Sequence, residues 1–237
     1  MIFGGIGYEQ AVYGSFPFWS RGYAMLAASP GCLPAWRDAM KRACERFGER
    51  PPGVDRFRSV FALPADRSAW MVVQVHSLGC DDQGRPGALA FHGLFVSPWS
   101  YRRAGGCPLA FAPAFRADWS AADQDAPLPR GRLRPVPLGK EEPGPPDPRI
   151  APIAEALSRK RRVIVQSRGP ADAMMRAAWR RLSGGTRRRL RAASWAFGNA
   201  NGFDFVALPR LGSLKLDGTE LVLASEPAPR AADVQAE

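Results

Sequence analysis

One histidine and two candidate nucleophiles are the side chains best suited to hydrolytic chemistry. His92 is a candidate base, and Cys107 or Ser97 is a candidate nucleophile. The segment AFHGLFV predicts a strand in which His92 shares a side with Ala90 and Leu94. We therefore expect a half-buried histidine with a satisfied hydrogen bond, and we predict that the chain is not an enzyme. A hydrolase that uses His92 remains an alternative.

Metal and nucleotide sites lack a matching motif. The four cysteines and two histidines do not form the close-spaced pairs of closed zinc sites. Residues 182–186 (LSGGT) look like the signature loop of ABC-type ATPases, but the chain has no G-x-x-x-x-G-K-[ST] loop to hold phosphates. We interpret the two glycines as a helix stop and Thr186 as the cap of the next helix. The sequence predicts no cofactor and no metal.

Arginine dominates the charge of the chain. Of 33 basic residues only four are lysine, against 22 acidic residues, and residues 149–191 hold thirteen cations and two acids. Such a segment can contact nucleic-acid phosphates, bind an acidic protein, or form an ordinary solvated surface in an arginine-rich proteome. We call its candidate anion- or partner-binding residues the basic face: Arg159, Lys160, Arg161, Arg162, Arg187, Arg188 and Arg189.

Aromatic residues crowd the segment 13–30. Aromatic side chains and arginine are favoured at the centres of protein interfaces. The alternative is that Phe16 and Phe18 enter the core. The candidate partner-binding residues are Tyr13, Phe16, Phe18, Trp19, Arg21 and Tyr23.

Local patterns predict the elements that position these residues in the first half of the chain. An amphipathic helix is expected over residues 34–47, with Trp36, Ala39, Met40, Ala43, Cys44 and Phe47 on its apolar face. Pro34 favours its first turn, and Gly48 can take the left-handed conformation that ends it. Apolar segments separated by turns predict antiparallel strands at 57–63, 69–76 and 88–96.

Proline marks the main internal boundary. Eight prolines fall within residues 121–148, which predicts an extended connector or a surface loop. Beyond it, local patterns predict helices at 149–157, 172–182 and 186–192. Strands are expected at 163–166, 203–208, 214–216 and 221–224, and disorder in the tail 226–237.

Several segments occur in a distinctive order. They are residues 10–16 (QAVYGSF), 21–31 (RGYAMLAASPG), 70–75 (WMVVQV), 84–87 (GRPG), 91–96 (FHGLFV), and 182–191 followed by Trp195 and Phe197. Over about residues 8–208 they resemble the N-terminal region of the bacterial GTPase-associated protein family. The resemblance implies a predicted biological-conflict gene neighbourhood with a small GTPase-like partner, and it supplies no catalytic residues.

The chain also departs from that family. Family members continue into further domains, which suggests a stand-alone version of the module here. A Ser-Phe-Ala type ending after the basic step is replaced by Ala193-Ser194-Trp195.

These observations together predict an α+β fold with a mainly antiparallel sheet flanked by helices. Two closely packed lobes, 1–120 and 149–225, would be joined by the Pro-rich connector 121–148. The expected function is a non-catalytic protein-interaction or adaptor module of a bacterial multi-gene system, with a small GTPase or another component encoded nearby as partner. The alternative is a nucleic-acid-binding protein that uses the basic face.

The start of the chain and its hydropathy bear on location. Residues 1–10 lack a basic region followed by a long apolar one, and no stretch has the roughly 20 apolar residues that span a bilayer. We therefore expect a cytoplasmic protein with reduced thiols and no membrane partner.

Overall fold

The structure is a computed structural model that describes residues 5–54, 57–139, 147–212, 214, 216 and 218–224. The strands are β1 (Ile6–Gly14), β2 (Ala24–Ala28), β3 (Arg58–Pro64), β4 (Trp70–Cys80), β5 (Pro86–Val96), β6 (Gly131–Leu133), β7 (Val163–Gln166), β8 (Ala192–Ala193), β9 (Phe205–Leu208) and β10 (Leu221–Leu223). The helices are α1 (Pro34–Glu45), α2 (Pro98–Arg103), α3 (Ile150–Ser158), α4 (Asp172–Arg181) and α5 (Gly184–Arg187), with 3₁₀ segments at Pro108–Ala114 and Ala121–Asp123.

The strands form one mixed, mostly antiparallel sheet in the order β10-β7-β9-β8-β3-β4-β5-β1-β2, and β6 pairs with β1. This confirms the predicted α+β class. The three strands predicted from apolar segments are confirmed as β3, β4 and β5, which pair antiparallel through tight turns. His92 lies opposite Gln74 of β4 and Val12 of β1.

The last four strands in the chain, β7 to β10, are parallel to one another. The pairs β10·β7, β7·β9 and β8·β9 are all parallel. Strand β8 joins them to the antiparallel part, because Ala193 pairs with Phe61 of β3. The sheet therefore runs without a break from the segment 1–120 into the segment 149–225.

The proline-rich connector is anchored to the sheet over its described residues. Strand β6 pairs with the first residues of β1. The side-chain amide of Gln10 donates to the carbonyl of Pro129 at 2.6 Å, and Arg130 forms an ion pair with the buried Glu9. Residues 140–146 of the predicted connector lie outside the described residues.

Helix α1 is confirmed and packs on the sheet through the predicted face. Ala39, Met40, Ala43 and Cys44 are buried, as is Phe47 just beyond the helix. Trp36 is only half-buried, stacked on Phe95 at 5.6 Å between ring centroids. Gly48 has φ +101°, and a Cβ there would lie 2.7 Å from the backbone of Phe197, so the chain needs glycine at this position.

The predictions for the last third of the chain meet mixed outcomes. The helices near 149–157 and 172–182 are confirmed as α3 and α4, and three strands as β7, β9 and β10. Leu214 and Leu216 do not lie in a strand, and residue 215 and the tail 226–237 lie outside the described residues. No helix within the described ranges is long and apolar enough to cross a membrane.

Candidate functional site

The aromatic segment 13–30 divides between the core and the surface. Phe16 and Trp19 are buried in a second apolar cluster, together with Val12, Leu26, Ala27, Ala90 and Leu128. Phe18 is half-buried beside Phe16, with ring centroids 5.3 Å apart. Phe16 and Trp19 therefore cannot touch a partner in this conformation, because the covering segment around Leu128 and Trp119 already fills that face of the sheet.

The two tyrosines of the segment meet at a surface cavity. The Tyr13 and Tyr23 rings are 6.0 Å apart, and the Tyr13 ring lies 6.2 Å from that of Phe91. Tyr23 is 47% exposed, while Tyr13 is buried in the wall. The Tyr23 hydroxyl accepts a hydrogen bond from the Leu89 amide at 3.0 Å, which fixes its ring across the start of β5.

The cavity has a volume of about 860 Å³ and lies between α1, the segment that follows it, and the start of β5. A neighbouring cavity of about 300 Å³ shares Tyr13, Tyr23 and Lys41 with it. We call the two together the tyrosine cleft. Its apolar and conformationally restricted wall consists of Tyr13, Tyr23, Cys44, Pro51, Pro52, Pro86, Leu89 and Phe91.

Charges of both signs surround the tyrosine cleft. Lys41 and Glu45 form an exposed pair at 4.0 Å on α1, and Glu49 and Arg50 line the opposite part of the larger cavity. Burial, with a smaller contribution from the nearby Glu45 carboxylate, raises the pKa of Tyr13 to about 12. The Tyr13 hydroxyl is therefore a neutral donor at physiological pH, and within the described chain it has no hydrogen-bond partner.

His92 is more deeply buried than expected and has both ring nitrogens hydrogen-bonded. Its Nδ1 accepts the Arg116 amide at 3.1 Å, and its Nε2 lies 2.8 Å from Gln10 Oε1. Phe115 and Trp119 meet its ring edge to face at 5.6 and 5.0 Å. The predicted satisfied hydrogen bond is confirmed, whereas the predicted half-burial is wrong because residues 115–119 close over the ring.

The residues that could join His92 in hydrolysis are occupied elsewhere. Ser97 caps α2, where its side chain accepts the Ser100 amide at 3.1 Å. Cys107 is fully buried, and burial raises the pKa of its thiol to about 11. Neither side chain is hydrogen-bonded to His92, so His92 does not act as the base for either nucleophile. Among the described residues no three His, Cys, Asp or Glu side chains are grouped as a metal site.

The LSGGT segment has a structural role that differs from the expected one. Ser183, not Thr186, caps the short helix, and its side chain accepts the Thr186 amide at 3.1 Å. The two glycines begin α5 instead of only ending α4. Thr186 lies inside α5, with its hydroxyl 3.0 Å from that of Ser183.

Arg161 and Arg162 of the basic face lie at the end of the sheet where the parallel strands begin. Glu220, Arg162, Asp204 and Arg191 directly precede β10, β7, β9 and β8, whose first residues are in register. We call these four residues the charge row, because acid and base alternate along it. Arg191 pairs with Asp204 at 3.3 Å, and Arg162 with Glu220 at 3.9 Å.

Three residues of the basic face, Arg159, Arg161 and Arg162, have partners within the protein. Arg161 donates to the Thr219 and Glu220 carbonyls, at 2.8 and 3.2 Å, and so helps to hold β10. Arg159 pairs with Glu155 on α3 at 2.9 Å. Lys160, Arg188 and Arg189 are exposed and make no ion pair with another described residue. Lys160 precedes β7 in the chain, and Arg188 and Arg189 precede β8. These two strands are separated only by β9, so the strand starts are about 10 Å apart.

Several residues of the site were not selected from the sequence. Lys41 and Glu45 lie outside the apolar face of α1, and the one available signal was their four-residue spacing. Arg50 and Phe91 reach the tyrosine cleft through tertiary packing alone. Comparison with protein-family models, with curated proteins and with solved structures finds no match to this chain.

Proposed function

We propose that this chain is a non-catalytic protein-interaction module, an adaptor, and that the tyrosine cleft receives a segment of a partner protein. The carrying observation is the exposed Tyr23 beside Tyr13, on the wall of a cavity of about 860 Å³. An aromatic residue on a fixed backbone is a favoured anchor in protein interfaces, because it buries much area at small entropic cost.

The chemistry of the cleft supports a polypeptide ligand. Lys41 and Arg50 are matched by Glu45 and Glu49, so the lining does not favour a polyanion such as nucleic acid. Aromatic and proline side chains supply apolar contact, and the Tyr13 hydroxyl is a free donor within the described chain. A backbone carbonyl of an extended peptide would satisfy that donor.

The resemblance to the GTPase-associated family supports a specific partner class. It favours a small GTPase-like protein, or another component encoded nearby, in a bacterial conflict system in the cytoplasm. The surface offered to it includes Tyr23. Phe18 and Arg21 lie with the second apolar cluster instead, Phe18 beside Phe16 and the Arg21 guanidinium 5.2 Å from the centroid of the Trp19 ring. Tyr13 contributes from the wall of the cleft, whereas Phe16 and Trp19 act only by supporting the segment from below.

Site-specific crosslinking tests the proposal. Tyr23 is replaced by p-benzoylphenylalanine in the native host, and the protein captured on illumination is identified and purified. Binding of that protein to the wild type and to Tyr23→Ala is then measured by surface plasmon resonance. We expect Tyr23→Ala to weaken binding at least about tenfold, mainly by faster dissociation.

The matched control is Trp99→Ala, which removes an aromatic side chain that is 58% exposed and lies outside the tyrosine cleft. It should leave both rate constants unchanged. Equal loss with Trp99→Ala, or unchanged binding with Tyr23→Ala, would contradict the proposed site. Failure to crosslink any protein at position 23 would contradict it too.

Nucleic-acid binding remains the second candidate, favoured by the exposed Lys160, Arg188 and Arg189, which precede the parallel strands β7 and β8 in the chain. Replacing these three by Gln leaves the charge row intact, whereas replacing Arg161 and Arg162 would loosen β10. If all three contact phosphates of duplex DNA, the slope of log affinity against log salt becomes shallower by about 2.7. Our proposal instead requires no tight duplex binding by the wild type at about 150 mM salt.

A further inference from the structure

A second cavity brings together three arginines from distant parts of the chain. It has a volume of about 490 Å³ and is lined by Arg103 at the end of α2, Arg134 just after β6, and Arg187 at the end of α5. The remaining lining is apolar or backbone: Ile6, Ala104, Gly105, Pro135, Val136, Pro137 and Leu138. We call it the arginine pocket.

The walls of the arginine pocket are fixed by close contacts and hydrogen bonds. A Cβ on Gly106 would lie 2.7 Å from the Arg187 backbone, so α5 rests directly on the chain that follows α2. The Val136 amide donates to the Ala110 carbonyl at 2.9 Å, and Arg180 donates to the Leu138 carbonyl at 3.2 Å. The arginines are therefore held together by the fold.

The positive charge of the arginine pocket is not balanced from within. The described residues that line it include no carboxylate. Arg134 and Arg187 make no ion pair with a described residue, and the buried Arg187 Nε has no hydrogen-bond partner there either. Two guanidinium groups beside an apolar floor, those of Arg134 and Arg187, thus lack, among the described residues, the anion that such groups normally bind.

We propose that the arginine pocket binds a small organic phosphate ester, with its phosphate on Arg134 and Arg187 and its apolar carrier on the floor that includes Ile6 and Leu138. A phosphate dianion offers three acceptor oxygens to guanidinium groups, whereas a carboxylate offers two oxygens and one charge. The volume is in the range of small-molecule sites and is too small for a folded macromolecule. The tyrosine cleft shares no lining residue with this pocket, so the two sites are independent.

Titration calorimetry with phenyl phosphate tests this assignment, with inorganic phosphate and benzoate as comparison ligands. We expect the wild type to bind phenyl phosphate with a Kd of about 1 mM or tighter. Inorganic phosphate should bind at least about tenfold more weakly than phenyl phosphate, because it cannot use the apolar floor. Benzoate should also bind at least about tenfold more weakly, because it carries only one charge. Equal affinity for either comparison ligand would overturn the proposal, as would no binding of phenyl phosphate.

Two substitutions locate the site. Arg134→Gln and Arg187→Gln should each weaken phenyl phosphate binding about tenfold or more. Arg134 is exposed, so its replacement should leave thermal unfolding unchanged even if Arg187→Gln proves destabilising. The control is Arg188→Gln, which removes the same charge next to Arg187 but outside the pocket lining. If Arg188→Gln loses as much affinity as Arg134→Gln, binding depends only on the net charge of the protein, and the proposed site is refuted.

Discussion

Gln10 links His92 to the proline-rich connector. The Arg116 amide donates to Nδ1 of His92, so the ring proton is on Nε2 and is donated to Gln10 Oε1 at 2.8 Å. The amide nitrogen of the same Gln10 side chain donates to the Pro129 carbonyl at 2.6 Å. One glutamine thus satisfies a buried histidine and fixes the connector on β1.

A neutral buried histidine predicts acid sensitivity. Burial is the main cause that lowers the pKa of His92 to about 3, with smaller effects of the His76 and Arg116 charges in the same direction. Below about pH 6.5 the unfolded chain binds a proton at this residue that the folded chain excludes. His92 alone should therefore lower the free energy of unfolding by about 1.4 kcal/mol for each pH unit below about 6, until the pH approaches 3.

The measurement is urea unfolding of the wild type and His92→Asn between pH 7 and pH 5. His76 contributes in the same direction to both proteins, because burial lowers its pKa as well, and it cancels in the comparison. The variant should show the smaller pH dependence, whatever its stability at pH 7. Parallel curves would mean that His92 is protonated in the folded state.

Gly14 should not tolerate a side chain. A Cβ there would lie 2.6 Å from the Leu89 carbonyl oxygen, and this backbone atom cannot move aside. We expect Gly14→Ala to lower the free energy of unfolding by about 1–3 kcal/mol. The control is Gly7→Ala in the same strand, where a Cβ meets no atom within 4 Å, and its effect should stay within about 0.5 kcal/mol. Equal effects in urea unfolding would contradict this close approach.

The charge row should contribute more to stability than an ordinary surface ion pair. Asp204 pairs with the Arg191 side chain and also accepts the Arg191 amide at 2.8 Å. Asp204→Ala should cost about 1–2 kcal/mol. Glu155→Ala breaks only an exposed pair with Arg159, and its effect should stay within about 0.5 kcal/mol. Thermal unfolding compares them, and a larger loss for Glu155→Ala would show that the row is not structural.

Half-burial limits the contribution of Trp36. Its indole stacks on Phe95, and its Nε1 donates to Asp66 at 2.8 Å on the exposed side. Trp36→Ala should therefore cost about 2 kcal/mol, less than the 3–5 kcal/mol typical of a fully buried aromatic residue. Phe47→Ala, at a residue that is 1% exposed, should reach that larger range. The order of the two losses in urea is the test, and the reverse order would place Trp36 in the core.

The sequence by itself determined the elements whose signals are local. Residues of α1 repeat at steps of three and four, and Pro34 and Gly48 constrain the backbone at its ends, so both its limits and its buried face were predictable. Alternation likewise predicted β5 and the side that His92 shares with Ala90 and Leu94. Such patterns depend on neighbours in the chain and need no knowledge of what packs against them.

Tertiary structure alone decided which predicted site residues are accessible. Phe16 and Trp19 look like Tyr23 in sequence, yet a segment about a hundred residues later covers the first two and leaves Tyr23 exposed. The arginines of the basic face are equivalent in sequence, but parallel pairing of short strands places Asp204 and Glu220 beside Arg191 and Arg162. Burial and ion pairing depend on partners far along the chain, which local periodicity does not encode.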